Sequence, residues 1–178
     1  MEMPAVLVVT GASGAGKTTL VRALQAGAPA GIVGRHFDDI GVPSVEEMVR
    51  EHGSGDAWQR AMTHRWMRML RDLDVSAVVL DAQVRPSFVR EAFEAEGVRC
   101  GGIVLVDCDA HVRRARLIER GQPELATPQM DQWAAYLRGQ ADALGLPVLD
   151  TTDLSVEQGV GRLREIIDAL LAEPMDMG

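Results

Sequence analysis

The sequence predicts an α/β fold of three layers, in which a parallel sheet is covered by helices on both faces. Three observations predict it. Strand-like apolar runs alternate with helical stretches along the whole chain, several runs end in a carboxylate, and the first run leads through a glycine-rich turn into a helix. Sheets of this kind bind ligands just beyond the carboxyl ends of their strands. The residues to inspect are therefore Thr10 and Gly11, Asp38 and Asp39, Asp81, Asp107 and Asp150.

Taken in order, Val6 to Thr10 is unbroken apolar and β-branched, the pattern of a strand buried on both faces. A helix follows from Lys17 to about Ala26 and is broken by Gly27, Pro29 and Gly31. Ile32 to Phe37 reads as a second, weaker strand. Ser44 with Glu47 has the capping-box spacing and opens a short helix ending near His52. After the loop Gly53 to Asp56 comes a longer helix, about Ala57 to Leu73, with Trp58, Met62, Trp66, Met69 and Leu73 at spacings of three and four. Such a stripe ordinarily packs a core. Ala77 to Leu80 and Ile103 to Val106 are the third and fourth strands. The helix between them starts at Pro86 and stops before Gly97. A helix from Ala110 to Arg120, another opened by Thr127 and Pro128 and running to about Leu144, a short strand Pro147 to Leu149, and a last helix capped by Ser155 and Gln158 complete the chain to about Ala172.

The 178 residues suit a single domain, 1–178. No apolar run approaches the roughly 20 residues of a membrane span, and the start, Met1 to Pro4, has no basic leader segment. Two cysteines, Cys100 and Cys108, without metal spacing read as reduced thiols, so a cytoplasmic protein with no membrane partner is expected. A net charge of −8 argues against a nucleic-acid polymer as partner. Of the 18 basic residues, Lys17 is the single lysine. A chain that otherwise uses arginine keeps one compact ammonium, and keeps it in the glycine-rich turn.

That turn is Gly11-Ala12-Ser13-Gly14-Ala15-Gly16-Lys17-Thr18, which fits G-x-x-x-x-G-K-[ST] at every fixed position and lies between a strand and a helix. Its glycines let successive backbone N–H groups point inward as an anion nest, and the helix starting at Lys17 adds its positive end. Lys17 is placed to reach the outer phosphates of a nucleotide, and the hydroxyl of Thr18 to bind Mg²⁺, with Thr19 next to it on the same helix. An acidic residue ending a neighbouring strand completes such a metal site. Asp81 and Asp107 both qualify.

On these residues the chain resembles the P-loop small-molecule kinases: the nucleoside monophosphate kinases, shikimate and gluconate kinases and chloramphenicol phosphotransferase. The resemblance is specific at the phosphate loop and covers nearly the whole chain in element order. It implies a five-stranded parallel sheet of order 2-3-1-4-5 with a helical lid, here about 113–128, and it favours Asp81 for the metal because it sets the third strand beside the first. The stretch Val79 to Pro86 is similar to the segment of adenylate kinase in which an acceptor-contacting arginine follows the third strand. It implies that role for Arg85, although Ala82-Gln83-Val84 departs from the family's glycine and aromatic. Arg116 to Arg120 resembles the R-L-x-x-R run leading into the lid. The turn Leu149 to Ser155, with Thr151 and Thr152, resembles the one that borders the nucleotide base.

Arg113, Arg116 and Arg120 share one helical stripe, which is either a solvated basic face or a set of cations for the charge of phosphoryl transfer. Arg120 stands beside the hinge-like Gly121-Gln122-Pro123 and is the better candidate. On the acceptor side, Asp38 and Asp39 point to opposite faces if the strand continues, so one of them can serve a hydroxyl acceptor, and Asp38 is preferred. An acceptor phosphate would instead use Arg35 and Arg85. Residues 38–73 would form the acceptor clamp. His36, His52, His64 and His111 lack ligand spacing and carry no expected role.

The expected activity is an ATP-dependent phosphotransferase with Mg²⁺, GTP not excluded, acting as a monomer or homodimer on a small molecule or nucleotide. The alternative is a nucleotide-hydrolysing regulator without such an acceptor. A Ras-like GTPase is disfavoured, because with no second lysine the N-K-x-D guanine motif is absent.

Overall fold

The computed structural model describes residues 3–27 and 31–172. The expected helix break at Pro29, and Met1 and Glu2 of the chain start, lie outside them. Five parallel strands, β1 (Ala5–Thr10), β2 (Ile32–His36), β3 (Ala77–Asp81), β4 (Gly101–Asp107) and β5 (Val148–Asp150), form one sheet in the order 2-3-1-4-5. β1 is central and every residue in it is buried. Its alternation divides the core. Ala5, Leu7 and Val9 pack toward α1 (Lys17–Ala26) and α7 (Val156–Ala172). Val6 and Val8 pack toward α3 (Gly55–Arg71) and α4 (Pro86–Ala95). α6 (Pro128–Leu144) covers β4 through Leu137 and Ala141 against Leu105. α5 (Ala110–Glu119) follows β4, and α2 (Val45–His52), which buries no residue, leans on α3. No helix among the described residues is long and apolar enough to cross a membrane.

Several boundaries differ from expectation for local reasons. β2 stops at His36, because Phe37–Ile40 winds into a 3-10 turn in which the Asp39 carboxylate accepts from the His36 amide at 3.2 Å. α3 begins at Gly55 rather than Ala57, since Ser54 is its cap and accepts from the Ala57 amide. β4 starts two residues early, at Gly101 and Gly102, where bare backbone lets Phe93 and Leu170 lie directly on the strand; a Cβ at either glycine would stand 2.7 Å from those side chains. The fifth strand is Val148–Asp150, one residue later than read. A further 3-10 turn, Pro123–Leu125, occupies the lid region. The tryptophans of residues 38–73 are core: Trp58 meets Phe37 edge-on at 6.1 Å, and Trp66 donates its indole N–H to the Phe37 carbonyl at 3.0 Å.

Candidate active site

The phosphate loop leaves β1 at Thr10, whose hydroxyl donates to the Val84 carbonyl at 2.6 Å and ties the loop entry to the segment after β3. Gly11, Gly14 and Gly16 have φ of +153°, +85° and +104°. Gly11 also lies against β4, where a Cβ would sit 2.2 Å from the Val106 carbonyl oxygen. Ala12 and Ala15 turn their methyl groups into the core. Ser13 faces outward and donates to Gln83 Oε1 at 2.8 Å. Gly16 precedes α1 directly, so the first-turn amides of α1 face the concavity, as an anion site requires.

Lys17 is buried, and its ammonium donates to the Ala12 carbonyl at 3.1 Å. Burial pulls its pKa down from 10.5 to about 8; the nearby Asp81 opposes that shift, Arg120 adds to it and Asp38 opposes it. Those three groups are thus within electrostatic reach of one ammonium, although they come from three separate elements.

Thr18 Oγ1 donates to Asp81 Oδ2 at 2.5 Å, and His36 Nδ1 stands 3.1 Å from the same oxygen. A hydroxyl beside a carboxylate at the edge of a phosphate nest is a hard oxygen donor set, which fits Mg²⁺. Asp107 is otherwise engaged: its Oδ1 accepts from the Cys108 amide, and Arg138 lies 3.6 Å from its Oδ2. His36 had no expected role and must be added to the site. Its sequence neighbourhood gave no sign of this, because its partner is 45 residues away and is delivered by the β2–β3 register, in which His36 sits opposite Asp81.

Among the described residues, two cavities border the loop. The larger, about 450 Å³, is bounded by Lys17, Thr18, Asp81, Asp38, Asp39 and Arg120. Arg22, His36 and Gln83 also reach it, none of which the sequence marks as a site residue. Both carboxylates are exposed, but that of Asp39 is held by the His36 amide, whereas that of Asp38 makes no hydrogen bond among the described residues. The smaller cavity, about 250 Å³, lies on the other side of the loop between Thr19, Arg116, Thr151 and Val156. Arg116 donates to Thr151 Oγ1 and O at 2.9 and 2.8 Å, and Thr151 Oγ1 donates to the Ala15 carbonyl at 2.8 Å, so the β5 turn is bonded to the phosphate loop. Thr152 lines neither cavity; its hydroxyl accepts from the Asp109 amide.

The remaining arginines separate. Arg120 ends α5, bonds Gln122 and borders both cavities. Arg113, expected on a solvated or phosphate-facing stripe, is instead buried: it donates to the Cys108 carbonyl and to Asp131 of α6, which its hydrogen bond holds below the usual carboxylate range. Arg35 bonds the Gly34 carbonyl and does not border the large cavity. Arg85 is also elsewhere. It pairs with Asp56 at 2.8 Å, bonds Gln59 at 2.9 Å and lies over the rings of Trp133 and Phe88 at 5.0 and 5.3 Å.

Comparisons with known proteins agree with this architecture. The AAA domain family matches residues 7–139. Among solved structures, a shikimate kinase from Acinetobacter baumannii in complex with shikimate is similar over 97% of each chain, with a TM-score of 0.62 and 15% identity. A sugar kinase from Janibacter sp. is similar over 96% of this chain and 99% of that one, with a TM-score of 0.60 and 21% identity. A shikimate kinase from Bacteroides thetaiotaomicron covers 92% of this chain and 98% of its own, at 0.60 and 20%. No curated protein sequence matches significantly. The match over residues 7–139, with a 2-3-1-4-5 sheet carrying the glycine-rich turn on its central strand, shows that the chain belongs to the AAA domain family of P-loop proteins and has the P-loop kinase-like fold.

Proposed function

We propose that this protein is a phosphotransferase that moves the γ-phosphoryl group of a nucleoside triphosphate, ATP in the first instance, to a hydroxyl of a small polar acceptor. The observation that carries the reading is that Asp38 and Arg120 border the same cavity as Lys17. The nest of residues 11–18 holds the phosphates, with Lys17 on the outer ones. Thr18 and Asp81 would hold Mg²⁺, which supplies positive charge against the phosphate oxygens when bound. The base lies in the smaller cavity, beside Arg116, Thr19 and Thr151. Asp38 orients the acceptor hydroxyl and takes its proton as that oxygen bonds to the γ-phosphorus and the bond from the γ-phosphorus to the β–γ bridging oxygen breaks, releasing ADP. Arg120 offsets the charge that spreads over the equatorial oxygens.

A hydroxyl acceptor is favoured by the Asp38 carboxylate in the large cavity and by Arg35 and Arg85, the cations expected for an acceptor phosphate, being turned to other partners; a phosphate acceptor would be left with Arg22 and Arg120 there. A screen of ADP release over nucleosides, nucleotides, sugars and other polyols tests the reading. Release should accelerate with a hydroxyl compound; a rate unchanged by every acceptor would point to hydrolysis as the activity.

Nucleotide binding should also take up protons. A polyphosphate against Lys17 raises its pKa from about 8 back toward 10.5, so the ammonium regains a proton on binding whenever the free protein has begun to lose it. Uptake is small at pH 7 and grows above pH 8, and affinity falls over the same range. Titration calorimetry of ADP in buffers of different ionisation enthalpy measures it, and buffer-independent heats at pH 8.5 would contradict it.

A further inference from the structure

We propose that His36 is a positioning residue for the metal site, fixing Asp81 so that one particular carboxylate oxygen is presented to the cation. The inference rests on the reading of the phosphate loop as a Mg²⁺-nucleotide site. Asp81 Oδ2 accepts from Thr18 Oγ1 at 2.5 Å and faces His36 Nδ1 at 3.1 Å, while Oδ1 has no hydrogen-bond partner among the described residues. An ionised carboxylate only accepts, so the ring contributes its Nδ1–H and occupies the second lone pair of Oδ2. The oxygen left for a cation or its waters is Oδ1. Without His36, a single bond from Thr18 leaves the carboxylate able to turn about its χ2 and exchange its oxygens.

The bond is not required to hold the strand. β2 and β3 are already paired along their whole length, from Ile32 opposite Ala77 to His36 opposite Asp81. The imidazole is also not core: its side chain is 26% exposed and borders the large cavity. A partly exposed ring whose hydrogen bond goes to the one carboxylate that also meets Thr18 is arranged as an outer partner of a metal ligand. Such partners typically hold a ligand's orientation and contribute one to two orders of magnitude in metal affinity. His36 is also the residue from which the 3-10 turn carrying Asp38 departs, so the same side chain ties the acceptor turn to the metal carboxylate.

The test is the Mg²⁺ dependence of ADP binding, followed by calorimetry in the wild type, His36→Ala, His36→Asn and Asp81→Asn. His36→Ala should raise the half-saturating Mg²⁺ concentration roughly tenfold while ADP affinity in EDTA stays within about twofold. His36→Asn, whose amide N–H₂ reaches the position of Nδ1–H, should recover most of the loss. A purely structural role would instead lower the melting temperature and weaken ADP binding with and without metal. If the alanine variant does not fold, His36→Gln keeps the bulk but carries its donor past that position, and the same rise is expected. Wild-type Mg²⁺ dependence in His36→Ala or His36→Gln, while Asp81→Asn is impaired, overturns the positioning role alone. Absence of any ADP binding by the wild type overturns the nucleotide site and this role with it.

Discussion

Replacing Lys17 by methionine is expected to lower phosphoryl transfer by roughly a thousandfold, a loss of the size seen when one preorganised charge-stabilising group is removed, without making the free protein less stable. The two halves of this expectation have one cause. In the free protein the ammonium is buried, has a single close carbonyl acceptor, and keeps its proton against a desolvation cost that brings its pKa to about 8. A methionine of similar length removes that cost, which at neutral pH could amount to about 3 kcal/mol. The sign can be checked against pH. The unfolded chain holds this proton to about 10.5 and the folded chain releases it near 8, so between those values the unfolded state binds more protons and stability from this group rises with pH. Thermal melts from pH 7 to 10 should show that component in the wild type and lack it in Lys17→Met. Transfer that survives in the variant would remove Lys17 from the chemistry.

The second large effect is expected at Asp38. Asp38→Asn keeps shape and polarity but cannot accept a proton, so kcat should fall by about 10²- to 10⁴-fold, with nucleotide affinity in the absence of acceptor nearly unchanged. Asp39→Asn makes the informative contrast. Its carboxylate is spent on the His36 amide within the 3-10 turn, so its loss should act on the stability of that turn more than on turnover. Steady-state kinetics with the acceptor found by the ADP-release screen, alongside binding of ADP alone, separates the two. Full activity of Asp38→Asn on a hydroxyl acceptor would eliminate the general-base assignment.

The features legible in the sequence were those whose causes are local. β1 is an uninterrupted β-branched run, the phosphate loop is an eight-residue pattern, and Ser44, Thr127, Pro86 and Pro128 announce helix starts through their own backbone chemistry. The parts that were misread depend on partners distant along the chain. Gly101 and Gly102 look unfit for a strand until Phe93 and Leu170 are seen packed on them. Arg113 reads as part of a solvated or phosphate-facing stripe because Asp131 arrives from the next helix. Arg85 follows the family pattern in position, yet Asp56 and Gln59, both on α3, draw it away. Strand alternation predicts that only one of Asp38 and Asp39 faces the site, but the strand ends at His36, and the two carboxylates are distinguished instead by the 3-10 turn. His36 was illegible because strand pairing, and nothing in its neighbourhood, brings it to Asp81.

The burial of Arg113 also bears on mechanics. Its side chain presses on Gly14, where a Cβ would stand 2.9 Å from Arg113 Cγ, and its guanidinium is fastened to Asp131 on α6. The front of α5 is therefore bolted to the floor of the phosphate loop and to a second helix. Beyond the buried Leu117, the chain runs outward through Arg120 to Gly121, at φ +72°. A sweep toward bound phosphates that pivots at that glycine would carry only the short flap beyond it, while Arg120, on the helix side of the pivot with its amide bonded to the Arg116 carbonyl, and Arg116, pinned to Thr151, stay put.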